Sequence, residues 1–434
     1  MKLITYLLTA STLIAQSAEP DRLMAALKDR TIADQISRMK TDDRIKAYET
    51  MTTHMKGNLH YQNLLATAYI QKMRETANPD YLTRAAGIVD AVINADGGNY
   101  EALRLRSQIE LERHNFAIVA TVSRTLIKLA PDDPWNWATL GDALMELGQY
   151  EPAADAYQKM MSLRPDLASY NRASYYRFVM GDVEGAIAVM KQAISSGSRS
   201  PENVAWCLVD LGNIYFKTGQ THTAELAFNA ALKVFPAYHA AYYGLGRVHA
   251  AQAKYPAAIQ ELKQAQAAVP MVEYIAALED TYAAAGQKDE AKTQQKMIDA
   301  IDRLEVANNQ AANRTLAMVY ADHDRKLPRA LELAQAELKV RQDIYTYDAL
   351  AWALHKNNQH AEAWAAVTKA LRLGTPEPTF HYHAGMIAKA LGRTADARKH
   401  LEKALALNGK FDPRQAVLAE SALGEMKLTA RAQE

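Results

Sequence analysis

The sequence predicts an all-α solenoid of antiparallel helix pairs, and three observations support this prediction. Ala, Leu, Lys, Glu and Gln are abundant, whereas only 19 Gly and 14 Pro interrupt the 434 residues, so long helices are favoured. About half of the residues are hydrophobic, so a mainly disordered chain is not favoured. Similar segments recur about every 34 residues, as in helical repeat arrays. A chain of this length fits two domains or one elongated array, and the period favours the array.

The N-terminal segment, residues 1–17, predicts a signal peptide. Lys2 is followed by an apolar stretch from Leu3 to Ala15, and Ala15 and Ser17 are spaced for cleavage after Ser17. A retained membrane anchor is the alternative, but the stretch is shorter than the roughly 20 residues that cross a bilayer. We therefore expect export, with a periplasmic or extracellular protein that has no transmembrane segment after cleavage.

A small residue marks the second helix of each predicted unit. These landmarks are Ala85, Val119, Ala153, Ala186, Ala224, Ala258, Ala291, Ala330, Ala363 and Ala397. Their spacing is nearly constant, except for longer steps after Ala186 and after Ala291. Gly148, Gly181, Gly219 and Gly392 fall between the paired helices, where Gly supplies the left-handed conformation that ends a helix. Because one hairpin cannot bury its own apolar faces, neighbouring hairpins are expected to stack into a superhelix.

The period also predicts the organisation of the chain. A helical lead-in is expected over residues 18–58, the solenoid over 59–411, and a capping helix with a tail over 412–434. The two long steps predict a bend or a break between sub-arrays near 195–203 and near 305–328.

The repeats resemble those of the tetratricopeptide repeat (TPR) family. The resemblance is carried by Trp137, Leu140-Gly141, Tyr150, Ala153, Tyr157 and Pro165, and by the related positions of about eight clear and two degenerate repeats. It implies a right-handed superhelix whose concave groove binds other proteins or peptides. One subclass holds chaperone tails with Lys and Asn at positions 5 and 9 of the first helix. Here Asn213 is paired with Val209, so chaperone-tail binding is not expected.

The same resemblance indicates which residues face the groove, since positions 2, 5, 9 and 12 of each first helix form one stripe. The stripe is rich in aromatic rings with polar residues between them, which suits an extended peptide or an inserted helix. Some of the rings, above all Trp135 and Phe216, are expected to fill gaps between repeats instead. The predicted binding residues are Trp135, Asn171, Tyr175, Phe178, Trp206, Asn213, Phe216, Tyr243, Arg247, Tyr345, Asp348, Trp352 and Tyr382.

No motif of a catalytic, cofactor-binding or metal site is found in the sequence, so an enzyme is not predicted. His381 and His383 are two residues apart and should point away from each other on a helix. The Asp322–Asp324 segment is expected to be a solvated turn, and Cys207, the one cysteine, a buried structural thiol. Lys and Arg number 50 against 49 Asp and Glu, so no basic excess favours nucleic acid.

The sequence therefore predicts a non-catalytic scaffold or adaptor in the cell envelope that binds protein or peptide partners in its groove. Aromatic rings with interspersed amides also suit sugars, so an accessory subunit that presents a substrate or glycan to a separate enzyme is the alternative. Self-association by end-to-end stacking is a third hypothesis.

Overall fold

The structure is a computed structural model that describes residues 35–36, 39–76, 78–198, 201–307 and 312–431. The predicted signal peptide (residues 1–17) lies outside the described residues, as do the first part of the lead-in and the end of the tail. The chain divides into two compact units, Met1–Ile109 and Glu110–Glu434. In the ranges that the structure describes, the regular secondary structure is helical and contains no strand.

The first unit contains three complete helices: α1 (Thr41–His54), α2 (Leu59–Thr76) and α3 (Pro79–Ala95). Asn78 caps α3, since its side chain accepts a hydrogen bond from the backbone N–H of Asp80. Helices α2 and α3 form a hairpin whose core includes the fully buried Tyr61 and Ala85. The next helix, α4 (Tyr100–Glu112), runs across the boundary of the two units.

The second unit continues the alternation of short helices and tight turns. Its helices are α5 (Phe116–Leu129), α6 (Pro134–Glu146), α7 (Tyr150–Leu163), α8 (Leu167–Val179), α9 (Val183–Ser196), α10 (Pro201–Lys217), α11 (Thr221–Val234), α12 (His239–Ala251), α13 (Tyr255–Ala268), α14 (Val272–Ala284), α15 (Lys288–Ala307), α16 (Arg314–Asp322), α17 (Leu327–Val340), α18 (Ile344–Lys356), α19 (His360–Ala370), α20 (Pro378–Ala390), α21 (Thr394–Leu407) and α22 (Gln415–Arg431). From α6 to α21, each even-numbered helix pairs with the next one. The predicted solenoid of antiparallel helix pairs is confirmed.

The landmark residues explain why the helices can pair so closely. Nine of the ten are fully buried, and Ala291 is half-buried. The nine Ala landmarks lie on the second helices of their hairpins, where a larger side chain would push the two helices apart. The four turn glycines have the predicted left-handed conformation, with φ between 67° and 84°.

Packing continues across both segments where a bend or break is predicted. Met190 and Ala193 of α9 share one apolar cluster with Ala205 and Cys207 of α10. Ile298 of α15 likewise shares a cluster with helices α16 and α17. The boundary between the two compact units falls elsewhere, between Ile109 and Glu110.

The superhelix of the second unit is wound so tightly that one turn packs directly on the next. The backbone N–H of Ile344 donates to the Tyr150 hydroxyl over 3.0 Å, and Asn408 Nδ2 donates to the buried carbonyl of Phe216 over 2.7 Å. The Thr375 hydroxyl donates in the same way to the carbonyl of Val179. These partners are 192–196 residues apart, which is just under six repeats of the array.

We call this contact the seam. One side of the seam is formed by the turns at residues 146–150, 179–181 and 216–219. The other side is formed by the loops at residues 341–344, 372–377 and 407–408. Two ion pairs cross it, Lys217 with Glu377 at 2.6 Å and Arg341 with Glu146 at 2.8 Å. Because the seam joins successive turns, Tyr345 of one turn lies beside the inner face of the preceding turn.

Candidate functional site

A cavity of about 230 Å³ lies on the inner face of the second unit. Its lining combines aromatic, apolar and charged side chains: Tyr175, Phe178, Met190, Asp210, Asn213, Ile214, Lys217, Tyr243, Arg247 and Tyr345. Six of these ten belong to the predicted stripe, namely Tyr175, Phe178, Asn213, Tyr243, Arg247 and Tyr345. The structure therefore gathers nearly half of the predicted residues around one space.

The two walls of the cavity come from different turns of the superhelix. Helices α8, α10 and α12 are first helices of successive repeats, so their inner faces lie side by side. Tyr345 is on α18, in the next superhelical turn, and the seam places it opposite them. The Nζ atom of Lys217 lies 5.3 Å from the ring centroids of both Phe178 and Tyr345, and so connects the two walls.

Arg247 is the cation of this cavity that has no acidic partner. Its guanidinium carbon lies 4.6 Å from the ring centroid of Phe216 and 5.4 Å from that of Tyr243. One long hydrogen bond, 3.4 Å from Nη1 to the Asn213 side-chain oxygen, is its single polar contact within the described structure. Lys217, in contrast, is neutralised by Glu377.

Three tyrosines add hydroxyl groups to the same space. Burial among protein atoms raises the pKa of Tyr175, Tyr243 and Tyr345, so all three remain protonated at neutral pH. Tyr175 nevertheless keeps 40 % of its surface exposed toward the interior. Tyr243 and Tyr345 are half-buried, and all three side chains line the cavity.

Asp210 forms an acidic point on the cavity wall. Its Oδ2 atom accepts hydrogen bonds from Asn171 Nδ2 at 3.1 Å and from Trp206 Nε1 at 2.7 Å. Burial raises the pKa of Asp210 to about 6. Two more predicted residues, Asn171 and the 52 % exposed Trp206, are thus attached to the cavity through this carboxylate.

The remaining predicted residues are not on the cavity wall. Trp135 is half-buried, while Phe216, Asp348, Trp352 and Tyr382 are at most 2 % exposed. The C-terminal segment covers the last part of the stripe, because the rings of Tyr382 and Phe411 lie 6.0 Å apart and Gln415 shares the Asp322 carboxylate with Trp352. A partner could reach these four side chains only if neighbouring contacts opened.

The histidines singled out in the sequence have separate partners. The Nδ1 atom of His381 is 3.0 Å from that of His400, whereas the buried His383 contacts both carboxylate oxygens of Asp348. Their predicted divergence is confirmed. Across the described ranges, no group of three or more His, Cys, Asp or Glu side chains is arranged to hold a metal ion.

The prediction of a solvated turn at Asp322–Asp324 is wrong for two of its three residues. His323 Nε2 lies 2.9 Å from Asp280, and Asp322 accepts hydrogen bonds from Trp352 and Gln415, because α14 and α22 cover the turn. Asp324 alone is exposed. Cys207 is fully buried, as predicted, and burial raises its pKa to about 12, which is the environment of an unreactive structural thiol.

A membrane-spanning helix would need a long and strongly apolar stretch. None of the helices in the described ranges meets that requirement.

Comparison with known proteins identifies the repeats. Family models described as tetratricopeptide repeat match residues 209–270 and 349–416, and a further model with the same description matches residues 136–167. These segments include most of α10 to α13, most of α18 to α21, and the α6/α7 hairpin. Among curated proteins, no significant match is found.

Several solved structures are similar to parts or most of the chain. PilW, a type IV pilus biogenesis factor, is 14 % identical with a TM-score of 0.41 over 47 % of this chain and 93 % of its own. Pseudomonas aeruginosa pilF is 14 % identical with a TM-score of 0.40 over 46 % and 91 %. The Cut9–Hcn1 hetero-tetramer of the APC/C gives 15 % identity and a TM-score of 0.47 over 91 % and 66 %.

The period, the helix pairs with buried landmark residues and the matching family models agree with one another. The chain is a tetratricopeptide repeat protein.

Proposed function

We propose that this protein is a non-catalytic scaffold of the cell envelope that binds protein or peptide partners on the inner face of its second unit. The observation that supports it best is the cavity, because it brings six predicted groove residues together with exposed aromatic surface. Tyr175 and Trp206 supply the most accessible rings there. Buried rings and guanidinium groups are typical of residues that contribute most to binding energy.

The envelope location rests on residues 1–17, whose composition is that of a signal peptide. Fractionation of cells that produce the full chain tests it, together with N-terminal sequencing of the product. A mature chain that begins at Ala18 in the envelope fraction supports the proposal. An intact chain that begins at Met1 and stays in the cytoplasm contradicts the location without affecting the binding site.

The binding role is tested by affinity capture from envelope extract with matched variants. Tyr175→Ala and Trp206→Ala remove accessible rings of the inner face. Phe235→Ala removes a ring of similar exposure, 38 %, that is not among the cavity residues. We expect partners captured by the wild type and the Phe235 variant to be lost with the other two. Equal recovery with all four proteins would refute the use of this surface.

A further inference from the structure

We propose that His381 and His400 form a binding site for one divalent copper or nickel ion in the α20/α21 hairpin. The site goes beyond the proposed function, since neither histidine lines the cavity of the inner face. Three features support it: the distance between the two imidazole nitrogens, the packing that holds the rings, and the pocket beside them.

The distance between the nitrogens is the first feature. His381 Nδ1 and His400 Nδ1 are 3.0 Å apart, and the two ring centroids are 5.3 Å apart. Two nitrogens bound at roughly 2.1 Å to one metal ion lie about 3.0 Å apart at a right angle and about 3.4 Å apart at a tetrahedral angle. The observed distance therefore fits the right-angled geometry of Cu²⁺ and Ni²⁺ better than the tetrahedral geometry of Zn²⁺.

Both imidazoles are in the form that donates to a metal ion. Burial, together with the neighbouring His400, lowers the pKa of His381 to about 4, and burial also lowers the pKa of His400. Each ring is therefore neutral at pH 7.5 and carries one lone pair. Without a metal ion, the two Nδ1 atoms share one proton in a hydrogen bond. On binding, this proton moves to Nε2 of its own ring through solvent, both Nδ1 lone pairs bind the ion, and no proton is released.

The packing of the hairpin is the second feature. Gly385 follows His381 by about one turn of α20, and a Cβ atom on Gly385 would lie 2.6 Å from Leu401 Cγ of α21. Because the two helices approach so closely there, the side chains one turn away meet directly. The ring of His400 also packs edge-on against that of Trp364, at a centroid distance of 6.1 Å. Ligands held in place by packing need little rearrangement to bind an ion.

The pocket beside the pair is the third feature. It has a volume of about 430 Å³ and is lined by His381, Lys399, His400, Glu402, Lys403 and Ala406. Two imidazoles fill two coordination positions, and the pocket has room for the water molecules that occupy the others. Two Lys against one Glu disfavour Mg²⁺ and Ca²⁺, because these ions require several oxygen ligands. Cu²⁺ and Ni²⁺ bind through the imidazole lone pairs instead.

Calorimetric titration of the untagged full chain with CuCl₂, NiCl₂ and MgCl₂ at pH 7.5 tests the site. We expect saturable binding of one ion at the tightest site, with Cu²⁺ bound more tightly than Ni²⁺, and no binding of Mg²⁺. Electron paramagnetic resonance of the Cu²⁺ complex should show hyperfine coupling to two imidazole nitrogens.

His381→Gln and His400→Gln each remove one ligand and should weaken the tightest site by about tenfold or more, since even the loss of a residue that only orients a ligand costs roughly 10–100-fold. The matched control is His222→Gln, because His222 is an exposed histidine of α11, outside this hairpin. The affinity of this control should equal that of the wild type. Should one ligand variant fail to fold, the other variant and the nitrogen couplings of the wild type still decide the outcome.

Absence of saturable Cu²⁺ and Ni²⁺ binding by the wild type overturns the proposal, and the contact between the two histidines is then a hydrogen bond alone. Wild-type affinity in both ligand variants overturns it as well, as does an equal loss in His222→Gln or displacement of Ni²⁺ by excess Mg²⁺. These outcomes are separate from the proposed function, because partner capture is tested with Tyr175→Ala and Trp206→Ala, which leave both histidines in place.

Discussion

The seam makes a sharp prediction about two glycines that look alike in sequence. Gly219 and Gly392 both end the first helix of a hairpin, with φ of 77° and 70°. A Cβ atom added to Gly219 would lie 2.7 Å from the Leu407 carbonyl oxygen across the seam, whereas one added to Gly392 would have no neighbour within 4 Å. Gly219→Ala and Gly392→Ala therefore impose the same backbone strain, but only the first also creates a clash.

The magnitude follows from these two contributions. The left-handed conformation costs an alanine about 1–2 kcal/mol at either position. Overpacking against a backbone atom, which cannot rotate away, adds about 1–3 kcal/mol for Gly219→Ala. The chain can avoid the clash only by separating the two turns, and this would break the buried hydrogen bond from Asn408 to the Phe216 carbonyl. We expect Gly219→Ala to be the more destabilising change by about 1–3 kcal/mol.

Urea denaturation measures the stability difference, and small-angle X-ray scattering of the folded variants measures compactness. Gly219→Ala should lower the denaturation midpoint more than Gly392→Ala, and any surviving folded protein should have a larger radius of gyration. Equal midpoints together with unchanged scattering for both variants would show that successive turns are not in contact in solution, and the reasoning would fail.

Two further predictions concern packing and pH. Ala258→Leu enlarges a fully buried landmark and should lower stability by about 1–3 kcal/mol, whereas Ala406→Leu at an exposed position should change the urea midpoint little. Burial lowers the pKa of His323, but the opposing contacts with Asp280 and neighbouring acids raise it to about 8 overall, against about 6.5 in an unfolded chain. The charged form of His323 therefore contributes about 2 kcal/mol to the free energy of unfolding below pH 6.5, and this contribution is lost as the pH rises through 8. Unfolding curves of His323→Gln recorded between pH 6 and 9 should lack this loss.

The hairpins can be predicted from sequence because each is specified locally. A small landmark, a turn glycine and a helix-ending residue recur within each repeat, and each position is decided by contacts inside its own hairpin. The seam has no such signal. It depends on the small rotation between neighbouring repeats, which accumulates over nearly six of them before residues such as Tyr150 and Ile344 meet. The sequence predicts that Gly219 adopts a left-handed backbone conformation. Its close approach to the Leu407 carbonyl across the seam follows only from the structure.

The candidate site can likewise be predicted only where the position of a residue on its own helix decides where its side chain lies. Tyr175, Tyr243 and Arg247 can be found because a first-helix position fixes which face a side chain occupies. Asp210 and Lys217 fall outside the predicted stripe, although they continue the helical row that begins at Trp206 and passes through Asn213, so a wider stripe would include them. The burial of later stripe residues cannot be foreseen, since it is caused by the C-terminal segment that covers them.

The ion pair between Lys217 and Glu377 provides a reversible test of the same seam. The Lys217 Nζ and Glu377 Oε2 atoms are 2.6 Å apart, and the two side chains are 24 % and 9 % exposed, so the ion pair is partly buried. Glu377→Lys places two cations at the seam and should cost about 1–3 kcal/mol, with an increase in the radius of gyration.

Adding Lys217→Glu restores an opposite pair with the charges exchanged, so the double variant should recover most of the lost stability and compactness. The exposed pair Lys389–Glu425, also 2.6 Å apart but 35 % and 62 % exposed, is the control, and its single reversal should change the stability little because solvent screens both charges. Recovery in the double variant requires the two side chains to face each other across nearly six repeats in solution. If the double variant is as unstable and expanded as Glu377→Lys alone, residues 217 and 377 do not meet, and neither the seam nor the cavity that depends on it exists.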